Sequence, residues 1–211
     1  MAYTQIDLAH WQRRETLALF RRFEKPQYTV TSRIDVTNIL NKRAKDNRFS
    51  SYLACIYAVG AALHQVPELR LRIRGKQVVE HETVVLSPTL LFKDGRLGFT
   101  YLDWHSDFEH FSEQAREMIE GTLALGVLKP GIEGYDGVAF LSCQPNLDFT
   151  SFENPVFDRD DSIPRITWGR YTDAPRDRKT IAVALQLHHG LADGSHVAQF
   201  FHAMQAAADR F

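Results

Sequence analysis

The stretch Ile181-Ala-Val-Ala-Leu-Gln-Leu-His-His189-Gly-Leu-Ala-Asp-Gly194 decides how this chain reads. On a two-residue period, Ile181, Val183, Leu185, Leu187 and His189 share one face of a strand. Ala182, Ala184, Gln186 and His188 share the other. His189 therefore closes an apolar row, where an imidazole is desolvated. Gly190 and Gly194 suit a turn, and Ser195 is placed to cap a helix with Val197, Phe200, Phe201, Met204, Ala208 and Phe211 on its inner face. The unit is strand, turn, helix, with a histidine at its mouth and Asp193 four residues on.

Three readings of that mouth stand side by side. His188 and His189 can be structural histidines. His189, Asp193 and His196 can be metal ligands, since two imidazoles and a carboxylate are valid donors; against this, they straddle a turn instead of sharing a helix face. His189 can be a general base, a partly buried neutral imidazole that titrates near working pH.

Outward from this unit the elements alternate in type. Helical spacing runs from Asp7 to Phe23, with Leu8, Trp11 and Leu19 apolar and Arg13, Arg14, Glu15, Arg21 and Arg22 charged, and Pro26 ends it. Tyr28 to Val36 alternates as a strand. Thr37 is placed to cap a short helix, and Ser50 or Ser51 a more apolar, buried one over Tyr52 to His64. Leu69, Leu71 and Ile73 alternate with Arg70, Arg72 and Arg74, a strand with one wet face. Thr89 to Phe92 and Leu97 to Leu102 flank Lys93-Asp94-Gly95-Arg96 as a hairpin. Phe108, Phe111, Ala115, Met118 and Ile119 recur at helical spacing, and Val138 to Cys143 and Arg165 to Arg170 read as strands. About five helices and seven or eight strands predict an α/β fold, a two-layer sandwich of helices on a mixed β-sheet. The Gly-rich stretch Leu128 to Gly137 is expected to be a loop within one domain spanning residues 1–211.

Composition narrows the partners. Lys and Arg number 25 against 26 Asp and Glu, so no basic excess exists to grip nucleic acid. No apolar run reaches the ~20 residues of a membrane span, and the first residues lack the charged and apolar blocks of a signal peptide. The two cysteines, Cys55 and Cys143, form no C-x-x-C pair. A cytoplasmic protein without a metal site is expected.

His188-His189-Gly-Leu-Ala-Asp193-Gly194 matches the H-H-x-x-x-D-G signature of the acyltransferase superfamily that holds chloramphenicol acetyltransferases, dihydrolipoyl acyltransferases and peptide-synthetase condensation domains. Three further segments resemble the chloramphenicol acetyltransferase family. They are Tyr3-Thr4, Trp11 and Arg13-Arg14-Glu15, then Thr31-Ser32-Arg33-Ile34-Asp35, then Ser142, Pro145 and Phe149-Thr150-Ser151-Phe152. The resemblance covers essentially the whole chain. It implies transfer of an acetyl group from acetyl-CoA to a hydroxyl of chloramphenicol, inactivating the antibiotic, in a homotrimer with active sites between subunits. His189 matches the general base and Ser142 the oxyanion donor, Thr167 acting through an ordered water. Asp193 and Arg13 match a buried ion pair whose disruption costs about 3–5 kcal/mol. Leu19, Phe20 and Phe99 match the acceptor lining. Phe20 stands where well-known members have Tyr, Leu19 replaces a common Phe, and Asn146 replaces the Trp after the matched proline. An acetyltransferase for another small hydroxyl compound is therefore the second reading. A trimer that only binds is the third, against which the intact set of His189, Asp193, Arg13 and Ser142 speaks.

Overall fold

A computed structural model describes residues 2–128 and 135–211. The elements follow in the order β1 (Tyr3–Gln5), α1 (Arg14–Phe20), β2 (Gln27–Asp35), α2 (Thr37–Lys45), α3 (Ser51–Gln65), a 3-10 turn (Pro67–Arg70), β3 (Leu71–Arg74), β4 (Gln77–His81), β5 (Val85–Leu91), β6 (Leu97–Phe99), α4 (Phe108–Leu125), β7 (Val138–Gln144), β8 (Arg165–Gly169), β9 (Thr172–Ala174), β10 (Arg178–His188) and α5 (Gly194–Ala208). The large sheet has the order β2-β10-β8-β7-β5-β6, with β9 paired to β10; β1-β4-β3 form a small second sheet. The β5–β7 and β7–β8 pairs are parallel and the others antiparallel, so the large sheet is mixed as the sequence predicts.

The two-residue period of β10 builds the main core. Ile181, Val183, Leu185 and Leu187 join Ile166 and Trp168 from β8 and face α3 and α5. The α3 segment is apolar almost all round, from Leu53 to Leu63, and is accordingly buried on nearly every side. Its cap is Ser50, whose hydroxyl accepts the Leu53 N–H at 3.2 Å. A smaller cluster of Leu17, Leu71, Ile73, Val78 and Leu191, flanked by Ile6, Leu8 and Trp11, joins the small sheet to the segment before α1.

Several expectations need correction. The helix expected over Asp7 to Phe23 is confined to Arg14–Phe20. The Asp7 carboxylate accepts the Ala9 N–H at 3.0 Å, a local bond that competes with helix, and residues 8–10 and 12–13 form turns. The wet face predicted beside Leu71 is dry: Arg72 is 1% exposed, donating to the carbonyls of Leu69, Leu71, Asp136 and Val138. Those bonds satisfy a guanidinium that burial pushes down to about 10. The even-numbered face of β10, on whose exposure the sequence was silent, is buried as well, and Asn154 lies against it at Gln186. The Asn154 N–H donates to Gln186 Oε1 at 2.9 Å, and the Gln186 amide returns a bond to the Asn154 carbonyl at 3.0 Å. The expected hairpin forms between β5 and β6, and the expected loop over Leu128 to Gly137 falls largely outside the described residues.

Candidate active site

Strand β10 ends at His188, and His189 begins the turn that leads into α5. The His189 N–H donates to the Pro26 carbonyl at 3.0 Å, while the N–H groups of Leu191 and Ala192 donate back to the His188 carbonyl. Gly190 is demanded by close approach, since a Cβ there would lie 2.9 Å from Leu17 Cδ1. The His189 ring is half-buried between two aromatic faces, Phe20 at 4.1 Å and Tyr28 at 4.3 Å between centroids. Tyr28 is fixed in turn by its hydroxyl, which donates to the Ala192 carbonyl at 3.3 Å. The sequence marked Tyr28 only as a strand residue; its register opposite Leu187 was the signal that it flanks the strand end. His189 Nδ1 is sealed from solvent, which leaves Nε2 as the ring nitrogen open to a substrate.

The neighbouring His188 has the opposite character. It is 2% exposed, its Nδ1 accepts the Gly190 N–H at 3.1 Å, and burial pushes its pKa down to about 4. The unfolded chain takes up this proton near pH 6.5 and the folded chain only near 4, so acid favours unfolding. Stability from this residue is expected to be complete above about pH 6.5 and to shrink by about 3 kcal/mol as pH falls to 4. Urea titrations across that range check this. His188→Asn, which keeps an acceptor for Gly190, is expected to flatten the slope; an unchanged slope would remove His188 from the account.

Arg13 reaches the turn as the sequence anticipated. Its Nη1 donates to Asp193 Oδ2 at 2.7 Å, and its Nη2 lies 3.4 Å from the His189 carbonyl. The guanidinium holds the Asp193 carboxyl well below the usual carboxylate range. The pair is less buried than expected: Asp193 is 38% exposed because it also caps α5, its Oδ1 accepting the Ser195 N–H at 3.0 Å. The larger cost of a stranded buried charge does not apply. Arg13→Ala and Asp193→Asn are expected to couple by about 1 kcal/mol in a double-mutant cycle of urea unfolding. Fully additive losses would refute the pairing.

Ser142 and Thr167 lie elsewhere. They are direct partners on β7 and β8, and Thr167 pairs with Ala184 on β10. Ser142 Oγ accepts the Gln144 amide at 3.0 Å, and the fully buried Thr167 Oγ1 accepts the Asn154 amide at 3.2 Å. Asn154, which the sequence did not single out, thus organises this second group. Ser142 and Phe99 line a cavity of about 1010 Å³, together with Phe140, Cys143, Asn146 and Phe157; Thr167 is not in its wall. From the register, Ser142 lies two strands across and five residues along from His189, about 19 Å between Cα atoms. It also projects from the opposite face, because Leu141 and Cys143 pack toward the helices. One chain therefore brings together His189, Phe20, Arg13 and Asp193, and separately Ser142, Thr167 and Phe99. Leu19, at 50% exposure, lies on the surface of this chain. Among the described residues no three acidic, histidine or cysteine side chains are grouped to hold a metal ion. No helix among them is long and apolar enough to cross a membrane.

The mixed sheet that carries this strand-end histidine and its clamped turn is a fold shared with known acyltransferases. The family model for chloramphenicol acetyltransferase matches residues 1–205, and the chain belongs to that family. Chloramphenicol acetyltransferase 3 of Escherichia coli is 28% identical over 208 residues, covering 97% of this chain and 96% of its own. A chloramphenicol acetyltransferase of Proteus mirabilis is 27% identical over 210 residues, covering 97% and 94%. A solved chloramphenicol acetyltransferase superposes with a TM-score of 0.83 at 28% identity, over 98% of this chain and 97% of its own. A probable dihydrolipoamide acetyltransferase of Listeria monocytogenes shares the fold, with a TM-score of 0.72 at 15% identity over 93% and 89%.

Proposed function

We propose that this protein moves an acetyl group from acetyl-CoA to a hydroxyl of chloramphenicol. The observation that carries the reading is His189, an imidazole gripped on both faces, with Nε2 open and its turn tied to Arg13. Nε2 takes the hydroxyl proton as the acceptor oxygen attacks the thioester carbonyl carbon. An alcohol at its free pKa is a poor nucleophile, so this proton transfer is where the rate is gained. A carbon–oxygen bond forms, the carbonyl oxygen becomes an oxyanion, and Ser142 donates a hydrogen bond to it. Collapse breaks the carbon–sulfur bond, and the proton on His189 passes to the CoA sulfur. The products are the acetyl ester and free CoA thiol, with no acyl-enzyme. Phe20 and Tyr28 keep the ring from rotating through this cycle, and Arg13 and Asp193 keep its backbone in place.

The base and the oxyanion donor must approach the same carbon, and within one chain they are about 19 Å apart on opposite faces. The reading therefore joins the His189 side of one copy to the Ser142 side of another. Two different patches meeting head to tail close into a ring, and we take that ring to be a trimer. Leu91, Leu97 and Phe157 support it. They line the Ser142 cavity at 68%, 57% and 81% exposure, apolar surface that a second copy would cover. Phe99 and Phe140 in that cavity, with Leu19 and Phe20 from the other copy, then enclose the acceptor. Residues 1–211 act as one domain, and the free thiols Cys55 and Cys143 suit the cytoplasm.

The test is an assay of CoA thiol release by the purified protein with acetyl-CoA, with and without chloramphenicol. Release that requires chloramphenicol supports the reading. Release that requires a different alcohol would overturn the choice of acceptor.

A further inference from the structure

A helix N-terminus of the kind found at Asp193 usually carries Glu or Gln three residues on, reaching back to the N–H of the capping residue. Here that position is His196. Its Nδ1 lies 3.1 Å from the Asp193 N–H, for which the backbone offers no acceptor, and 3.0 Å from Asp193 Oδ1. Oδ1 already accepts both the N–H and the hydroxyl of Ser195, at 3.0 and 2.8 Å. The assignment that satisfies every group gives Nδ1 the lone pair and the Asp193 N–H the proton. The ring proton then sits on Nε2, 3.4 Å from Glu68 Oε1. The His196 side chain is only 14% exposed.

We propose that His196, set in its Nε2–H tautomer by the Asp193 N–H and favoured there by the nearby Glu68 carboxylate, is a positioning residue for the turn that carries His189; this rests on the reading of His189 as the base. Two features explain a histidine here. A glutamate would satisfy the Asp193 N–H but would set a second negative charge beside Asp193, in competition for Arg13. A neutral imidazole satisfies the same N–H and leaves Arg13 to Asp193 Oδ2. Its second nitrogen adds an anchor that a capping Glu lacks. That anchor belongs to a different part of the molecule: Glu68 sits on the Pro67–Arg70 turn, which Arg70 fastens to the His64 and His81 carbonyls and to Glu80. Arg13 is held on the same side, following the segment of Leu8 and Trp11 that packs with Leu71, Ile73 and Leu191. The turn after β10 is thus held at Asp193 twice, by Arg13 on the carboxylate and by His196 on the backbone N–H, with Glu68 of the small-sheet side 3.4 Å from His196 Nε2.

Two measurements on the full chain test this independently. Nitrogen-15 NMR of the imidazoles, with the His196 signals identified by their loss in His196→Gln, should give a pyridine-like Nδ1 and a pyrrole-like Nε2. Glu68→Ala should mix the tautomers. A protonated Nδ1 in the parent would overturn the proposal whether or not the protein turns over chloramphenicol. In the CoA-thiol assay, His196→Ala should lower kcat about 10- to 100-fold, as a small displacement of the base does, with both KM values unchanged. His196→Gln, whose amide oxygen can accept the Asp193 N–H, should recover most of that loss. An unchanged kcat in His196→Ala, or a loss in His196→Gln as large as in His196→Ala, would overturn the proposal. If His196→Ala does not fold, His196→Gln and Glu68→Ala carry the test. Glu68→Ala should then show a lowered kcat that accompanies the tautomer change, and tautomer mixing with no change in kcat would overturn the proposal. A parent without turnover on chloramphenicol refutes the function above and leaves the NMR result to decide the tautomer.

Discussion

His189→Ala is expected to reduce turnover by about 10²–10⁴-fold or more while leaving the fold intact. The expectation rests on the one nitrogen that the turn leaves open. His189 Nδ1 is sealed, the ring is stacked on Phe20 and Tyr28, and only Nε2 can receive the acceptor's proton. Steady-state assays on the variant, with circular dichroism to confirm folding, check this. His188→Ala serves as the contrast. It should lose stability through the unpaired Gly190 N–H, but it does not remove the base. Near-parental turnover in His189→Ala would refute the mechanism.

The second large effect concerns two copies of the chain. Ser142→Ala is expected to lower turnover by about 10²–10³-fold, the usual cost of one oxyanion donor. Each of Ser142→Ala and His189→Ala is then nearly inactive by itself. If the base of one copy serves the serine of the next, mixed oligomers of the two variants contain some intact sites. With equal amounts and random assembly, about a quarter of all sites pair an unaltered His189 with an unaltered Ser142. Co-expression of the two variants under different tags, followed by purification on both tags, leaves one intact site in each mixed trimer and should therefore restore about a third of parental kcat with parental KM values. No recovery in verified mixed oligomers would show that both residues serve a site within one chain. That would contradict the register, which separates them by about 19 Å.

Much of this was legible in the sequence where a period or a fixed spacing carried it. The alternation from Ile181 to Leu187 correctly named the residues that face α3 and α5, and Ser50 was a correct cap for α3. The family resemblance anticipated that Arg13 and Asp193 meet, a contact between residues 180 apart that no local rule supplies. What stayed hidden has three physical origins. The three-residue strands Tyr3–Gln5 and Thr172–Ala174 are too short to show a period. Burial of Arg72 comes from segments distant in sequence that cover it, so its polar type misled as to exposure. The partners Tyr28, Asn154 and Glu68 act through register or through single tertiary bonds, and nothing in their own neighbourhoods marks them. The separation of Ser142 from His189 needed the strand order β10-β8-β7, which the linear motif does not contain.

The central claim is direct acetylation of chloramphenicol with His189 as the base. Its most direct test incubates the purified protein with acetyl-CoA and chloramphenicol and follows small molecules and intact protein by mass spectrometry. The account predicts acetylated chloramphenicol and free CoA thiol in equal amounts, no acetylated protein at any time, and loss of both products in His189→Ala. Free CoA thiol without acetylated chloramphenicol, or an acetyl group retained on the protein during turnover, would contradict it.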